Sequence, residues 1–214
     1  MDAPRLHLVR HGEVHNPTRI LYGRLPDYHL SEAGVRMAEA AAEHIASLGR
    51  PVTHLVCSPL ERTQESAAPF AERFGLTPHL DERVIEPTNV FEGTRMRRSL
   101  MNPLNWWHLR RPSRPSWGEP YLSITQRMTA AMEDAWDTAS GVGGETGDMV
   151  IVSHQAPIWI THLHIAGLPL KHDPRTRRCA LSSVTSFTRT DTGWREVAYA
   201  EPALTGDAVD VGAV

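Results

Sequence analysis

Three short runs constrain this chain more than any other feature: RLHLVR at residues 5–10, VTHLVCS at 52–58 and MVIVSH at 149–154. Each is apolar enough to form a strand, and each stops on residues that carry chemistry. Between the first two lies SEAGVRMAEAAAEHIASLG, Ala-rich, with Ser31 placed to cap its start and Gly49 to stop it, which predicts a helix. After the second run, LERTQESAAPFAERFG predicts another helix, with Pro69 as an interior kink. A helix is expected from about Ser123 to Thr138, with Met128, Ala131, Met132, Ala135 and Trp136 on one face, and another from Ala156 to Gly167. Residues 180–189 and 194–199 read as a closing hairpin around Asp191-Thr192-Gly193. Residues 77–120 read as irregular and Pro-rich. GVGGETGD reads as a flexible turn; it lacks the Lys-Ser/Thr of a phosphate loop and precedes a strand.

Strands that alternate with helices predict the α/β class: a three-layer α/β/α sandwich, its sheet mainly parallel with an antiparallel edge. In such sheets the active site lies beyond the carboxyl ends of the strands. Here those ends deliver Arg10-His11-Gly12, then Ser58 with Arg62 one turn into the next helix, then Ser153-His154. If the three strands are neighbours, two imidazoles and two guanidiniums converge. The natural guest of such a cationic pocket is an oxyanion, phosphate above all, because guanidinium forks match phosphate oxygens in pairs. The chain has no GxSxG serine elbow, so an imidazole, unprotonated on its attacking nitrogen, is the candidate nucleophile. His154 would balance charge on the transferred oxygens, and Gly12 would let the backbone approach the ring or the phosphate.

Composition excludes several other readings. The chain has 214 residues, enough for one domain, expected over residues 1–214 with a cap-like insertion at about 94–120 and a loose tail from about residue 202. Lys+Arg is 22 and Asp+Glu is 25, so 22 − 25 gives −3, which argues against a nucleic-acid partner. Two cysteines without CxxC spacing, Cys57 and Cys179, fit a reducing, cytoplasmic setting. MDAPRLHLVRHG is not expected to be a signal peptide, and no run is long enough to span a bilayer, so no membrane partner is expected. Twelve histidines form no HExxH and no compact Cys/His quartet, so no metal is expected; His44, His54, His79, His162 and His164 read as scattered surface or partly buried residues.

Taken together and in order, LVRHGE, SPLERTQESA and VIVSHQAPI resemble the histidine phosphatase superfamily, the phosphoglycerate mutase-like fold, over about residues 5 to 190. The resemblance implies that His11 becomes transiently phosphorylated, that Arg10 and Arg62 bind phosphate, and that His154 is the second histidine of the pocket. It implies a proton donor within VIEPTNVFEG, where Phe91-Glu92-Gly93 stands in place of the family's Trp-Glu-Gly and Glu86 matches the donor; the spacing is one residue short, which keeps Glu82 as the alternative. Asn16 resembles the asparagine that follows RHGE in many members, one residue early, and would touch the phosphate. Gln155 stands where the family commonly has glycine; it would contact substrate or phosphate, or fill space. No cofactor is implied. The substrate would be a small phosphorylated molecule, polyanionic if the basic segment 94–115 acts as a lid; the oligomeric state stays open, a dimer included.

That segment, TRMRRSLMNPLNWWHLRRPSRP, carries six arginines and no acid, with Trp106 and Trp107 at its centre. It reads as a solvated basic face whose tryptophans pack on the body, as a lid selecting a larger anionic substrate, or, ranked last for want of an amphipathic period, as a membrane-surface or partner-binding patch. His15, His29 and Arg24 lie on the loop over the pocket, as solvated or anchoring residues or as substrate contacts, and Ser58 reads as a cap. Phosphomonoester hydrolysis is the expected reaction, because the chain lacks the length and cap pattern of cofactor-dependent mutases. Mutase chemistry and non-catalytic phosphate binding remain the other two readings.

Overall fold

The computed structural model describes residues 3–110, 118–139 and 146–203. In chain order they form β1 (Leu6–Arg10), α1 (Glu32–Ser47), β2 (Val52–Cys57), α2 (Glu61–Phe74), β3 (His79–Leu80), α3 (Met96–Leu100), α4 (Tyr121–Ala139), β4 (Asp148–Ser153), α5 (Gln155–Ile165), β5 (Val184–Thr190) and β6 (Gly193–Ala200). The six strands make one sheet in the order β3-β2-β4-β1-β5-β6. The first four run parallel; β5 is antiparallel to β1, and β6 to β5.

The central strands read as unbroken apolar runs because both of their faces are covered. Leu6 and Leu8 of β1, with Met149 and Ile151 of β4, join a core with Met128 and Met132 of α4 and Ile158 and Ile160 of α5. The residues between them, Val9, Val150 and Val152, join a second core with Ala41 and Ile45 of α1 and Phe70 of α2. A period of two on each strand thus divides the side chains between two helical layers. The α/β/α sandwich is the result.

Local signals set most of the helix ends. The Ser31 hydroxyl accepts from the Gly34 amide at 3.0 Å, as an N-cap does, and Gly49 follows α1 at φ +66°. α2 runs through Pro69 to Phe74 and stops at left-handed Gly75. His154 lies outside β4 and precedes α5, whose first turn takes Pro157 where no amide donor is needed. The hairpin strand β5 begins at Val184; residues 180–183 form a turn with Ser182 at φ +52°.

The 77–120 stretch holds more structure than its composition suggests. It contains β3, 3-10 turns at Glu82–Val84 and Pro103–Leu109, and α3. Residues 140–145, where most of the Gly-rich turn falls, and 204–214, most of the expected tail, lie outside the described residues, as do 111–117. Ala203 is buried with Met37 and Leu181. Among the described residues no helix is long and apolar enough to cross a membrane.

Candidate active site

The crossover from β1 through α1 to β2 leaves a gap that β4 later fills, so three strand ends stand side by side. Arg10 pairs with Ser153 and Cys57 with Val152. The His11 amide donates to the Ser153 carbonyl at 3.1 Å, and the Ser58 amide to the Val152 carbonyl at 3.1 Å. His11, Ser58 and His154 therefore leave the sheet at one level, over its carboxyl edge, as the topological rule requires.

His11 is fully buried. Its Nδ1 lies 2.7 Å from the Gly12 carbonyl, an acceptor only, so Nδ1 carries the proton and Nε2 the lone pair. Nε2 is buried with no hydrogen-bond partner among the described residues. Burial first, then the charges of Arg62 and Arg10, hold the imidazole well below its ordinary pKa, so it is neutral. Gly12 has a reason different from the expected one. A Cβ there would lie 2.3 Å from the Gly34 carbonyl, because the loop passes directly over the start of α1. The Gly12 amide donates to Ser66 Oγ at 3.1 Å, and Ser66 donates to the Arg62 carbonyl, so α2 holds the loop in place.

Arg62, in the first turn of α2, is buried. One Nη2 hydrogen goes to the Gly23 carbonyl at 2.7 Å, and the same nitrogen lies 3.3 Å from His154 Nδ1. Its guanidinium carbon sits 4.8 Å from the Tyr22 ring centre. Its Nε and Nη1 are buried and have no partner among the described residues. Arg10 is buried from the other side, donating to the Cys179 carbonyl at 2.7 Å. The His154 ring lies 5.3 Å from that of His11. With Nδ1 accepting from Arg62, its Nε2 donates to Ser58 Oγ at 2.8 Å; burial and the neighbouring arginine and histidine hold it, too, well below its ordinary pKa.

Glu86 reaches the same place from the segment after the 3-10 turn. It is 4 % exposed, and Oε2 lies 4.0 Å from His154 Nδ1 with no hydrogen-bond partner among the described residues. Burial raises its pKa against the opposing pull of Arg62, Arg177 and Arg10. Glu82 is exposed, so of the two candidate donors Glu86 alone is buried with the histidines. Phe91-Glu92-Gly93 shapes the floor of this region. The Gly93 amide donates to the Leu21 carbonyl and the Leu21 amide to the Thr94 carbonyl, each at 2.8 Å, and a Cβ on Gly23 would lie 2.3 Å from Glu92 Oε1. The Gly23 carbonyl that grips Arg62 is thus fixed by the FEG stretch.

Other expected residues are engaged by the protein itself. The Asn16 amide is engaged in its own loop, donating to the Ile20 carbonyl at 2.8 Å and accepting from the Ile20 amide. Gln155 Oε1 accepts from Arg177 at 3.2 Å. Arg24 is an anchor: its Nε donates to the Glu86 carbonyl at 2.5 Å, and Nη2 lies 3.8 Å from Glu119. His15 is exposed, and His29 pairs with Glu65 at 2.5 Å, outside the pocket. Trp106 and Trp107 are 60 % and 68 % exposed, which overturns the reading that they pack on the body; Arg110 stacks on Trp107 at 3.9 Å. Sequence reasoning missed Tyr22, Ser66 and Arg177, and gave Ser58 only a cap. A serine four residues after Arg62 was the one local signal, since that spacing returns to the same helix face.

The sequence profile of the histidine phosphatase superfamily (branch 1) matches residues 6–202. Rv0525 of Mycobacterium tuberculosis (strain ATCC 25618 / H37Rv), an uncharacterized protein, is 46% identical over 205 residues, 94% of this chain and 98% of its own. A probable phosphoglycerate mutase, GpmB of Yersinia pestis (strain Pestoides F), is 30% identical over 188 residues, 84% of each chain. The solved structure of a mycobacterial glucosyl-3-phosphoglycerate phosphatase, Rv2419c, with inorganic phosphate shares the fold at a TM-score of 0.75 and 23% identity, covering 94% of this chain and 100% of that one. With the strand order, the buried histidine pair and a profile that spans the chain from β1 to beyond β6, the chain belongs to the histidine phosphatase superfamily.

Proposed function

We propose that the chain hydrolyses phosphomonoesters through a phosphohistidine on His11. One observation carries the reading: four buried atoms without a hydrogen-bond partner among the described residues, His11 Nε2, Arg62 Nε and Nη1 and Glu86 Oε2, lie together in a single cluster. Such orphans are costly unless a ligand satisfies them. A lone pair, guanidinium donors and a carboxyl group are what a phosphoryl ester needs for in-line transfer.

In the first step His11 Nε2 attacks phosphorus and the bond to the leaving oxygen breaks. Glu86 gives its proton to that oxygen, and the alcohol departs. Arg10 and Arg62 hold the charge on the three equatorial oxygens. Ser58 fixes the His154 ring, which stands beside the transferred group. In the second step the Glu86 carboxylate takes a proton from water, the water oxygen attacks phosphorus, the P–N bond breaks, and phosphate leaves with the Nε2 lone pair restored. The elevated pKa of Glu86 keeps the acid form populated for step one, and the neutral His11 is already a nucleophile. No metal has a role in this route.

The test is phosphate release from sugar phosphates, phosphoglycerates, nucleotides and p-nitrophenyl phosphate, with chelator present. His11→Ala should abolish turnover, and Glu86→Gln should lower kcat/KM, which reports the first step, about 100-fold or more on alkyl phosphates but much less on p-nitrophenyl phosphate, whose leaving group needs no proton. Equal losses on both ester types would remove Glu86 as the acid. The similarity to a probable phosphoglycerate mutase favours one second reading, return of the phosphoryl group to a phosphoglycerate. Bisphosphoglycerate-dependent interconversion faster than phosphate release would establish it.

A further inference from the structure

Arg177 follows the 3-10 turn Pro174–Thr176 and lies partly buried at the edge of the pocket. Its Nε donates to His172 Nε2 at 2.9 Å and its Nη1 to Gln155 Oε1 at 3.2 Å. Both partners are neutral. His172 Nδ1 donates to the Leu170 carbonyl at 2.8 Å, which leaves Nε2 as an acceptor, and burial lowers the ring's pKa. Three other partly buried arginines, Arg24, Arg50 and Arg127, each lie 3.8 Å or less from a carboxylate oxygen. Arg177 has no carboxylate at that range among the described residues, a property it shares with Arg62, the pocket arginine. Neutral acceptors orient a guanidinium without cancelling its charge, and a partly buried cation held that way is costly until an anion arrives.

The place of Arg177 indicates what that anion belongs to. The residue lines a small cavity of about 40 Å³ with Pro87, which follows Glu86 in the chain, Thr88, Asn89, Tyr121 and Glu119, the last held by Arg127 at 2.9 Å and Arg24 at 3.8 Å, and its charge acts on the Glu86 carboxyl. We propose that Arg177, aimed by His172 and Gln155, is a specificity-determining residue that binds a second anionic group on the leaving-alcohol side of the substrate. Gln155 then has a task that a glycine could not perform. The proposal rests on the phosphatase reading above, because the leaving side is defined by Glu86 as proton donor.

The test compares 2-phosphoglycolate with 2-hydroxyethyl phosphate, esters of similar size that differ in a carboxylate, and adds ethylene glycol bisphosphate to distinguish a carboxylate from a phosphate as the second anion. The wild type should prefer one or both anionic esters in kcat/KM by about 10-fold or more. Arg177→Gln should collapse the ratio of anionic to neutral ester toward one, Arg177→Lys should keep part of it, and Gln155→Leu and His172→Phe should lower it part of the way; circular dichroism and melting temperature check the fold of each. No preference in the wild type, or a parallel loss on all three esters in Arg177→Gln with the ratio intact, overturns the subsite while leaving the phosphatase standing. If the wild type turns over none of these esters or p-nitrophenyl phosphate, the phosphatase reading fails instead. Equilibrium binding of the same three esters then decides the subsite: a preference for anionic esters that Arg177→Gln removes sustains it, and equal binding overturns it.

Discussion

At the scale of single residues, the pocket is organised by two pKa displacements of opposite sign. His11 is held low by burial and two arginines, while Glu86 is held high by burial. The attacking imidazole must be neutral and the donor carboxyl protonated. The rising limb of kcat/KM therefore lies well below the ordinary histidine pKa, and the falling limb above the ordinary carboxylate range. In Glu86→Gln the falling limb should vanish on p-nitrophenyl phosphate; a limb that persists unchanged in that variant assigns it to another group. Gly23 gives a second prediction. It sits at φ +42°, and any Cβ would press on the Glu92 carboxylate at 2.3 Å. Gly23→Ala should displace the carbonyl that holds Arg62, lowering kcat/KM about 10-fold or more through a raised KM, with a melting temperature close to wild type. An unchanged KM would show that Arg62 does not depend on that carbonyl.

At the scale of elements, the opposite end of the sheet carries a buried clamp unrelated to the pocket. Asp148, at the start of β4, receives two hydrogen bonds from Arg50 at 2.7 and 2.9 Å, one from the Arg5 amide at 2.8 Å, and lies 3.2 Å from His7 Nε2; the other nitrogen of His7 meets Ser186 Oγ at 2.8 Å. The clamp joins β1, β4, β5 and the loop before β2. Although burial opposes it, these donors bring the Asp148 pKa down to about 2 from 3.8. A carboxylate depressed in the folded state stabilises it above the unfolded pKa, and that stability is lost as pH falls through the folded one. The contribution is about 2 kcal/mol, complete above about pH 5 and gone by about pH 1 to 2. Asp148→Asn should cost about 2 to 3 kcal/mol at pH 7 by denaturant unfolding, and its stability should fall less between pH 5 and pH 2 than that of the wild type. Parallel pH curves for the two proteins would exclude the carboxylate as the cause. The same elements explain what was legible beforehand. Arg10, His11, Arg62 and His154 follow strand ends or open a helix, so local pattern and motif order located them, and Glu86 came with its FEG neighbour. Arg177 and Tyr22 were missed, and Ser58 was placed at its strand end without its part in holding His154, because these roles depend on where β4 inserts and how the loops at residues 13–30 and 168–183 fold back, contacts between residues distant in sequence. The two-residue strand β3 is too short to carry any period.

At the scale of the whole molecule, charge is divided rather than absent. Residues 94–115 carry six arginines and no acid, so the rest of the chain holds 22 − 6 = 16 basic against 25 acidic residues, or −9. The described part of this segment is tied to the pocket side. Arg95 Nε donates to the Thr18 carbonyl at 3.0 Å, and the His108 ring lies 6.0 Å from that of Phe91. Arg97 and Arg98, on α3, are exposed. A positive patch beside a cationic pocket on an otherwise negative body draws anions toward one face, and the attraction acts through solvent, where salt screens it over about 10 Å at 0.1 M. An anionic substrate should therefore lose kcat/KM about threefold to tenfold between about 0.05 and 0.5 M ionic strength, and a bisphosphate more than a monophosphate. Arg97→Gln with Arg98→Gln should flatten that slope while kcat at saturating substrate stays near wild type, because neither side chain has a place at His11 or Glu86. The measurement is kcat/KM against ionic strength for both proteins, set with chloride salts so that added phosphate does not compete. Equal slopes would mean that the field comes from Arg10, Arg62 and Arg177 within the pocket, and that the arginines of 94–115 serve something other than substrate capture.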